Sequence, residues 1–455
     1  ERLNGSKGML VGVEMRGPAR EALELASREP YALTGKVGLD PELVSGSFSG
    51  RLELVVPRLV DLVPADVLYR IAVDVIDVEL TTGFRGFEVD GANGLLILDP
   101  GTARLDGNFR LNGVPFVASY FHDFAPDAGV IRTVNLQGSV GEEERAALGL
   151  VDPIDMKGAV DIVLDMSQAS DLTMTWNAVA DLTSTDIVFP LLEIDKRPGE
   201  PGRASLRLVD DGGMFLIADE ATLGVGATLV EAGGVVRASD VSLVRLDLQR
   251  LAFGRNDLSG ALSVREDGFY EIALGGGVID LQPMMDDVAA SSGPELPSFR
   301  LKGLIDRVWI TDDDAVHEVY IDGLYTGAIW ESLAISGQID DETPMSVNIW
   351  RFSETERRFE YNAADVGDAI RLFGLFDHAE GGPLQVRARI DDSDPDRPAV
   401  GAISDEGFVL RQAPILTRLL SIASLEAIVN ALSGDGLEFS GALMPFEKRG
   451  DIVTL

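Results

Sequence analysis

The sequence predicts a mainly β protein: a long, curved antiparallel sheet forming a groove, with short interrupting helices and a helix-bearing C-terminal module. Three observations point there. Apolar and polar residues alternate with a period of two over much of the chain. Asn-Gly and Asp-Gly pairs recur between these stretches and supply the positive φ that tight hairpin turns need. Strand-like segments follow one another about every 8–12 residues, too closely for helical crossovers between parallel strands.

The cleanest strand lies at residues 154–166. Ile154, Met156, Gly158, Val160, Ile162, Leu164 and Met166 fall on one side, with Asp155, Lys157, Asp161 and Asp165 on the other, the pattern of a strand with one wet face. Val244, Leu246 and Leu248 alternate with Arg245, Asp247 and Gln249 in the same way. Residues 71–80 alternate less cleanly, because Asp74, Asp77 and Glu79 interrupt both faces. Similar segments recur at residues 10–14, 51–56, 102–111, 223–230, 261–265, 272–274, 316–325, 329–339 and 384–390. Turns are expected at Asp90-Gly91, Asn93-Gly94, Asp106-Gly107, Asn112-Gly113, Asp211-Gly212-Gly213, Asp267-Gly268 and Asp322-Gly323.

Helices are few. Short ones are expected at 57–68, 142–148 and 283–290, and a firmer one at 365–376, capped by Asp365 and carrying Ile370 and Phe373 on one stripe. The last starts near Pro414, which suits a first helical position, and stops at Gly434. It sets Ile415, Leu419, Ile422, Leu425, Val429 and Leu432 at helical spacing. The Pro- or charge-rich stretches at 196–202, 291–298 and 391–398 read as loops within a continuous architecture, since strand patterning resumes after each.

Of 455 residues, 75 are acidic and 38 basic, so the formal charge is 38 − 75 = −37. That field repels phosphate backbones and excludes nucleic acid as a partner on electrostatic grounds; anionic membrane surfaces are disfavoured for the same reason. Hydrophobic residues make up 45% but aromatic ones only 7%, so the buried material is mostly aliphatic. Cysteine is absent, which removes disulfides, thiolate catalysis and cysteine-ligated metals. No apolar run reaches the roughly 18 residues of a membrane-spanning helix. The chain opens at Glu1-Arg2-Leu3 without an initiator Met and reads as a piece of something longer, with any anchor upstream.

Motifs for chemistry are missing. His122, His317 and His378 are the only histidines, without metal-ligand or triad spacing. Gly46-Ser47-Phe48-Ser49-Gly50 places Phe where a nucleophile elbow needs Ser. In Asp391-Asp392-Ser393-Asp394-Pro395-Asp396 a calcium-loop frame would put Arg397 at the required glycine, so the segment reads as a solvated turn. Asp312-Asp313-Asp314 reads as a hairpin tip. No catalytic residue, metal or cofactor is expected. The apolar alternation is then the one positive functional signal, and two readings stay open: a sandwich core, or a single curved sheet whose apolar concave face encloses lipid.

Near the C-terminus an ordered series stands out. It runs from Phe359-Glu360-Tyr361-Asn362-Ala363-Ala364-Asp365-Val366-Gly367 through Gly381-Gly382-Pro383-Leu384 to Gln412-Ala413-Pro414-Ile415-Leu416, Leu419-Leu420-Ser421, Ser424-Leu425 and Leu432-Ser433-Gly434-Asp435-Gly436. This series resembles the C-terminal region of AsmA-like envelope proteins, specifically the large YhdP-type branch, and covers roughly residues 359–439. Gln412 departs from the small polar residue usual there. Residues 176–196 are more loosely similar to the family's middle region.

The resemblance implies an inner-membrane-anchored protein of a Gram-negative-type bacterium, with its bulk in the periplasm. It also implies likeness to repeating-β-groove bridges that carry phospholipid between membranes. On it we divide the chain into a groove segment, 1–355, and a C-terminal module, 356–455. The expected partners are phospholipid or a similar acyl lipid, the inner membrane through an upstream anchor, and an outer-membrane or envelope protein. Ile162, Leu164, Met166, Val244, Leu246 and Leu248 are the candidate lining. Phe373, Pro414, Leu419, Leu420 and Leu425 are candidates for a C-terminal cap. The rival expectation is an envelope scaffold with a closed, dry core.

Overall fold

The computed structural model describes residues 8–28, 40–57, 67–81, 88–125, 127–149, 155–240, 242–282, 297–326, 329–340, 342–374, 379–410, 437–450 and 452–454. The chain is mainly β. Among the described residues, twenty-four strands belong to one mixed sheet that does not close into a barrel, and two three-stranded sheets accompany it. The chain divides into two compact units, Glu1–Ser242 and Leu243–Leu455.

Unit 1 carries β1 (Gly8–Pro18), α1 (Ala19–Ala26), β2 (Val44–Pro57), β3 (Leu68–Thr81), β4 (Glu88–Leu98), β5 (Thr102–Leu111), β6 (Val114–Asp123), β7 (Val130–Val140), α2 (Glu142–Ala147), β8 (Asp155–Lys157), β9 (Val160–Ala169), β10 (Met174–Asp181), β11 (Asp186–Phe189), β12 (Ile194–Lys196), β13 (Gly202–Asp210), β14 (Phe215–Val225) and β15 (Thr228–Arg237). Twelve of these strands form an antiparallel meander: β1 to β7 in order, then β9, β10, β13, β14 and β15. Strands β8, β11 and β12 make a small separate sheet.

Unit 2 carries β16 (Leu243–Phe253), β17 (Asn256–Val264), β18 (Tyr270–Asp280), β19 (Phe299–Trp309), β20 (Ala315–Tyr325), β21 (Trp330–Ile339), β22 (Thr343–Arg351), β23 (Glu356–Ala363), α3 (Val366–Leu372), β24 (Ala379–Glu380), β25 (Leu384–Asp391), β26 (Ala399–Asp405), β27 (Phe408–Leu410), β28 (Leu437–Phe439), β29 (Ala442–Arg449) and β30 (Ile452–Thr454). Its long strands pair in chain order, and β24, β27 and β28 form the second small sheet. The register continues across residue 355, where Arg351 on β22 faces Arg357 on β23.

Several expectations are corrected. The sheet is not purely antiparallel: β18 and β19 are parallel, with Tyr270 facing Phe299 and Ile272 facing Leu301. The segment between them is long enough to return the chain to the same end. The run 154–166 is not one strand, because Gly158, at φ +89°, breaks it into β8 and β9. Asp90-Gly91, Asn93-Gly94, Asp106-Gly107 and Asp322-Gly323 do not turn the chain but lie inside β4, β5 and β20. Asn112-Gly113 does turn it, with both residues at positive φ, as a two-residue hairpin requires. Residues 58–66, 283–296 and 411–436, which hold three of the expected helices wholly or in large part, lie outside the described residues.

The uneven alternation of 71–80 has a local cause. Asp77 adopts φ +53°, and the β3–β4 register shifts between Val75 and Val78. This bulge moves the paired apolar positions from odd (Ile71, Val73, Val75) to even (Val78, Leu80), so one face stays apolar while the sequence pattern slips.

Candidate functional site

On β9, Ile162, Leu164 and Met166 share a face. Leu164 belongs to a cross-strand row that crosses all twelve strands of the unit 1 meander without a charged side chain. The row is Gly17, Phe48, Val75, Gly94, Gly107, Ala118, Leu136, Leu164, Ala178, Leu206, Ala221 and Ala232. Beside it, Met166 lies in a second uncharged row that starts at Met15, ends at Gly234 and includes Val73, Leu96, Tyr120 and Trp176.

Unit 2 builds the same feature from different residues. Leu246 opens the row Leu262, Ile272, Leu301, Gly323, Leu333, Ile349, Phe359, Ala388, Gly401 and Phe446. Leu248 opens a parallel row that ends at Met444 and passes through Ile321, Ile335 and Tyr361. Val244 shares their face of β16.

Glycines set the curvature of these faces. A Cβ on Gly94 would stand 2.5 Å from the carbonyl oxygen of Asp106, and one on Gly107 would stand 2.3 Å from that of Asn93. Gly50 on Ala72, Gly260 on Ala273 and Gly401 on Arg387 give 2.3, 2.4 and 2.1 Å. All five glycines lie on the apolar rows. A neighbouring backbone that close to a missing side chain has approached from that side, so the sheet folds toward its apolar face at these points.

One margin of each apolar face is closed. In unit 1, Val160, Leu182, Ile187, Ile194 and Val225 form a buried cluster between the meander and the β8–β11–β12 sheet, and Val114, Phe116 and Val140 form another beside α2. Ile162 packs against both. Two buried cations hold these covers. Arg145, 3% exposed, donates to the carbonyls of Gly158 and Met156 at 2.8 Å. Lys196, 2% exposed, donates to Thr185 O at 2.8 Å and to Thr183 O and Arg197 O at 3.2 Å. Lys196, expected from sequence at the start of a charged loop, is instead buried at the end of β12, and Arg145, which follows three glutamates, carries no sequence signal that sets it apart from surface.

In unit 2 the cover is α3. Asp365 caps it, accepting from the amides of Gly367 and Asp368 at 2.7 and 3.0 Å, and also takes the Gly381 amide at 3.1 Å. Ala369 and Leu372, each 1% exposed, pack on Ile305, Val319, Ile339 and Met345. Phe373 sits just past the helix, about half exposed, with its ring edge-on to Tyr361 at 6.2 Å.

Away from these covers the rows stay partly open: Leu164, Val244, Leu246 and Leu248 are half-buried, as are Leu206, Leu208 and Trp176, while Met166 is buried. The opposite margin carries polar groups. In unit 1 these are Tyr120, His122 and Arg132. In unit 2, Phe299, Tyr325 and Trp330 cluster with centroids 5.1–5.5 Å apart. Beside them Arg357 binds Asp392 (2.8 Å) and the Trp330 carbonyl (2.9 Å), and Arg351 bridges Asp392 (2.7 Å) and Glu331 (2.6 Å). Asp392, read from sequence as part of a solvated turn, is a buried ion-pair partner, and the Arg357 guanidinium holds its carboxyl below the usual aspartate range.

Pro414, Leu419, Leu420, Leu425 and His378 lie outside the described residues. Among the described residues no group of three or more His, Asp or Glu side chains is placed to hold a metal ion, and no helix is long and apolar enough to cross a membrane. No family model, curated protein or solved structure matches the chain.

Proposed function

We propose that this chain is a segment of a non-catalytic conduit for acyl lipids, of the AsmA-like, YhdP-type kind. In this reading it stands in the periplasm of a Gram-negative-type bacterium and carries phospholipid between the inner and outer membranes. The observation that carries the reading is the set of uncharged apolar rows running across every strand of the unit 1 meander and across eleven strands of unit 2, on faces bent inward and left half-open.

Transport demands such a surface. Exposing an acyl chain to water costs roughly 0.8 kcal/mol per CH₂, so two sixteen-carbon tails cost on the order of 25 kcal/mol. A continuous aliphatic floor removes most of that cost. Because its rows carry no charge and few directional polar groups, the binding energy is nearly the same from strand to strand, and a tail can slide.

The test is extraction of the purified chain followed by lipid mass spectrometry. Phospholipid in at least stoichiometric amount is expected; a fully folded chain without lipid would favour the scaffold with a dry core. The paired substitution Leu164→Asp and Leu246→Asp is expected to abolish lipid recovery while leaving the circular dichroism spectrum of the wild type. Global unfolding of that variant would mark both positions as closed core.

A further inference from the structure

Four aromatic side chains stand in one cross-strand row at the margin of the unit 2 floor. Tyr270 faces Phe299, Phe299 faces Tyr325 and Tyr325 faces Trp330. The row lies one step along the strands from Ile272, Leu301 and Gly323 of the Leu246 row. The Trp330 ring lies over that floor, since a Cβ on Gly323 would meet its Cζ3 at 2.5 Å. Phe299 and Tyr325 stack with centroids 5.1 Å apart, and Trp330 sits edge-on to both at 5.5 Å. All four side chains are half-buried. The Tyr325 hydroxyl and the Trp330 indole N–H have no hydrogen-bond partner among the described residues, and neither is cut off from solvent as the Tyr361 hydroxyl is. In unit 1 the corresponding row, through Leu98, Ala103, His122, Arg132, Gln168 and Met174, contains no Phe, Tyr or Trp.

We propose that Tyr270, Phe299, Tyr325 and Trp330 form a shelf for the ester linkages of an acyl lipid whose tails reach onto the Leu246 and Leu248 rows. The inference rests on the acyl-lipid reading and adds how the lipid is oriented on unit 2. In an ester lipid the carbonyl oxygens, acceptors without charge, stand between the oily tails and the wet headgroup. A ring with an apolar body and an O–H or N–H tip suits that boundary, as aromatic belts suit the edge of a bilayer. The shelf offers donors and no cation, because the nearby Arg351 and Arg357 are engaged by Glu331 and Asp392. It therefore fits a neutral acceptor and not an anionic phosphate.

The test is calorimetric titration of the delipidated full chain with short-chain phosphatidylcholine, either ester-linked or ether-linked. The wild type is expected to bind the ester lipid about fivefold more tightly, the scale of one neutral hydrogen bond. Tyr325→Phe should remove that preference and leave the affinity for the ether lipid unchanged. Trp330, one of four tryptophans, reports orientation through bromine quenching. The fluorescence lost in Trp330→Phe should be quenched by lipid brominated near the ester and spared by lipid brominated at the methyl end. Melting curves should show both variants folded; if Tyr325→Phe unfolds, the wild-type comparison of ester with ether and the Trp330 quenching still decide. Equal wild-type affinity for both lipids, a preference that Tyr325→Phe keeps, or equal quenching from both bromine positions overturns the shelf while the lipid reading stands. A wild type that binds neither lipid sinks the acyl-lipid reading and this inference with it.

Discussion

Two buried polar side chains in unit 2 sit in opposite circumstances. Asp392, with its side chain 9% exposed, accepts from both Arg351 and Arg357. Removing one partner of such a buried pair leaves the other charge uncompensated, so Asp392→Asn is expected to cost about 3 kcal/mol in denaturant unfolding. Because the partners depress the Asp392 pKa, its contribution is complete above the ordinary aspartate value of about 3.8 and is lost as pH falls through the lower folded-state value. Melting temperature should therefore fall in that acid window less steeply for Asp392→Asn than for wild type. The Tyr361 hydroxyl is the contrasting case. It is buried with no hydrogen-bond partner among the described residues, and burial pushes its pKa up to about 12. Tyr361→Phe removes an unsatisfied group and keeps the ring against Phe373, so it is expected to stabilise the fold by about 1 kcal/mol. A loss of stability would show that the hydroxyl has a partner.

At the scale of elements, the covers and the open rows should answer differently to truncation. Leu372 on α3 is 1% exposed within the core cluster, and Leu372→Ala is expected to cost about 2–5 kcal/mol. Leu206 on β13 is half-buried in the middle of its row. Leu206→Ala should cost well under half as much in thermal or denaturant unfolding, while lowering the amount of lipid recovered. Comparable destabilisation at both sites would mean that the rows are as tightly packed as the cover. The cap at Asp365 and the start of the helix were legible in sequence, since Asp before an apolar stretch has one common local meaning. The face that packs, however, is Val366, Ala369 and Leu372 and not the expected stripe of Ile370 and Phe373, because which side of a short helix meets the sheet depends on where the sheet lies. Nor were the glycines inside β4, β5 and β20 legible: Asn-Gly or Asp-Gly has the same local chemistry in a hairpin turn and in a strand pressed against its neighbour.

For the molecule as a whole, strand spacing turns the rows into a length. At about 4.8 Å per strand, twelve strands carry a row about 50 Å along unit 1. The hydrocarbon core of a bilayer, two tails deep, is about 30 Å. A row of that length accommodates more than one lipid, so native mass spectrometry is expected to show two or more phospholipids on a single chain. A sharp one-to-one complex would indicate a closed pocket. The charge of −37 belongs to this scale too, because it acts through the summed field and not through any one contact.

The period-two alternation, the scarcity of helices and the exclusion of cysteine chemistry followed from the sequence alone, because each depends on residue type and near-neighbour spacing. Whether the apolar face would be sealed by a second sheet did not, because a sandwich and an open curved sheet write the same alternation along every strand. Tertiary structure decided that the long strands share one sheet, bent at glycines whose missing side chains let backbones approach. It also decided which margin of each face is covered, since Arg357 and Asp392 meet across 35 residues, and Arg145 and Lys196 reach carbonyls 11 and 13 residues away that only the folded small sheet brings to them.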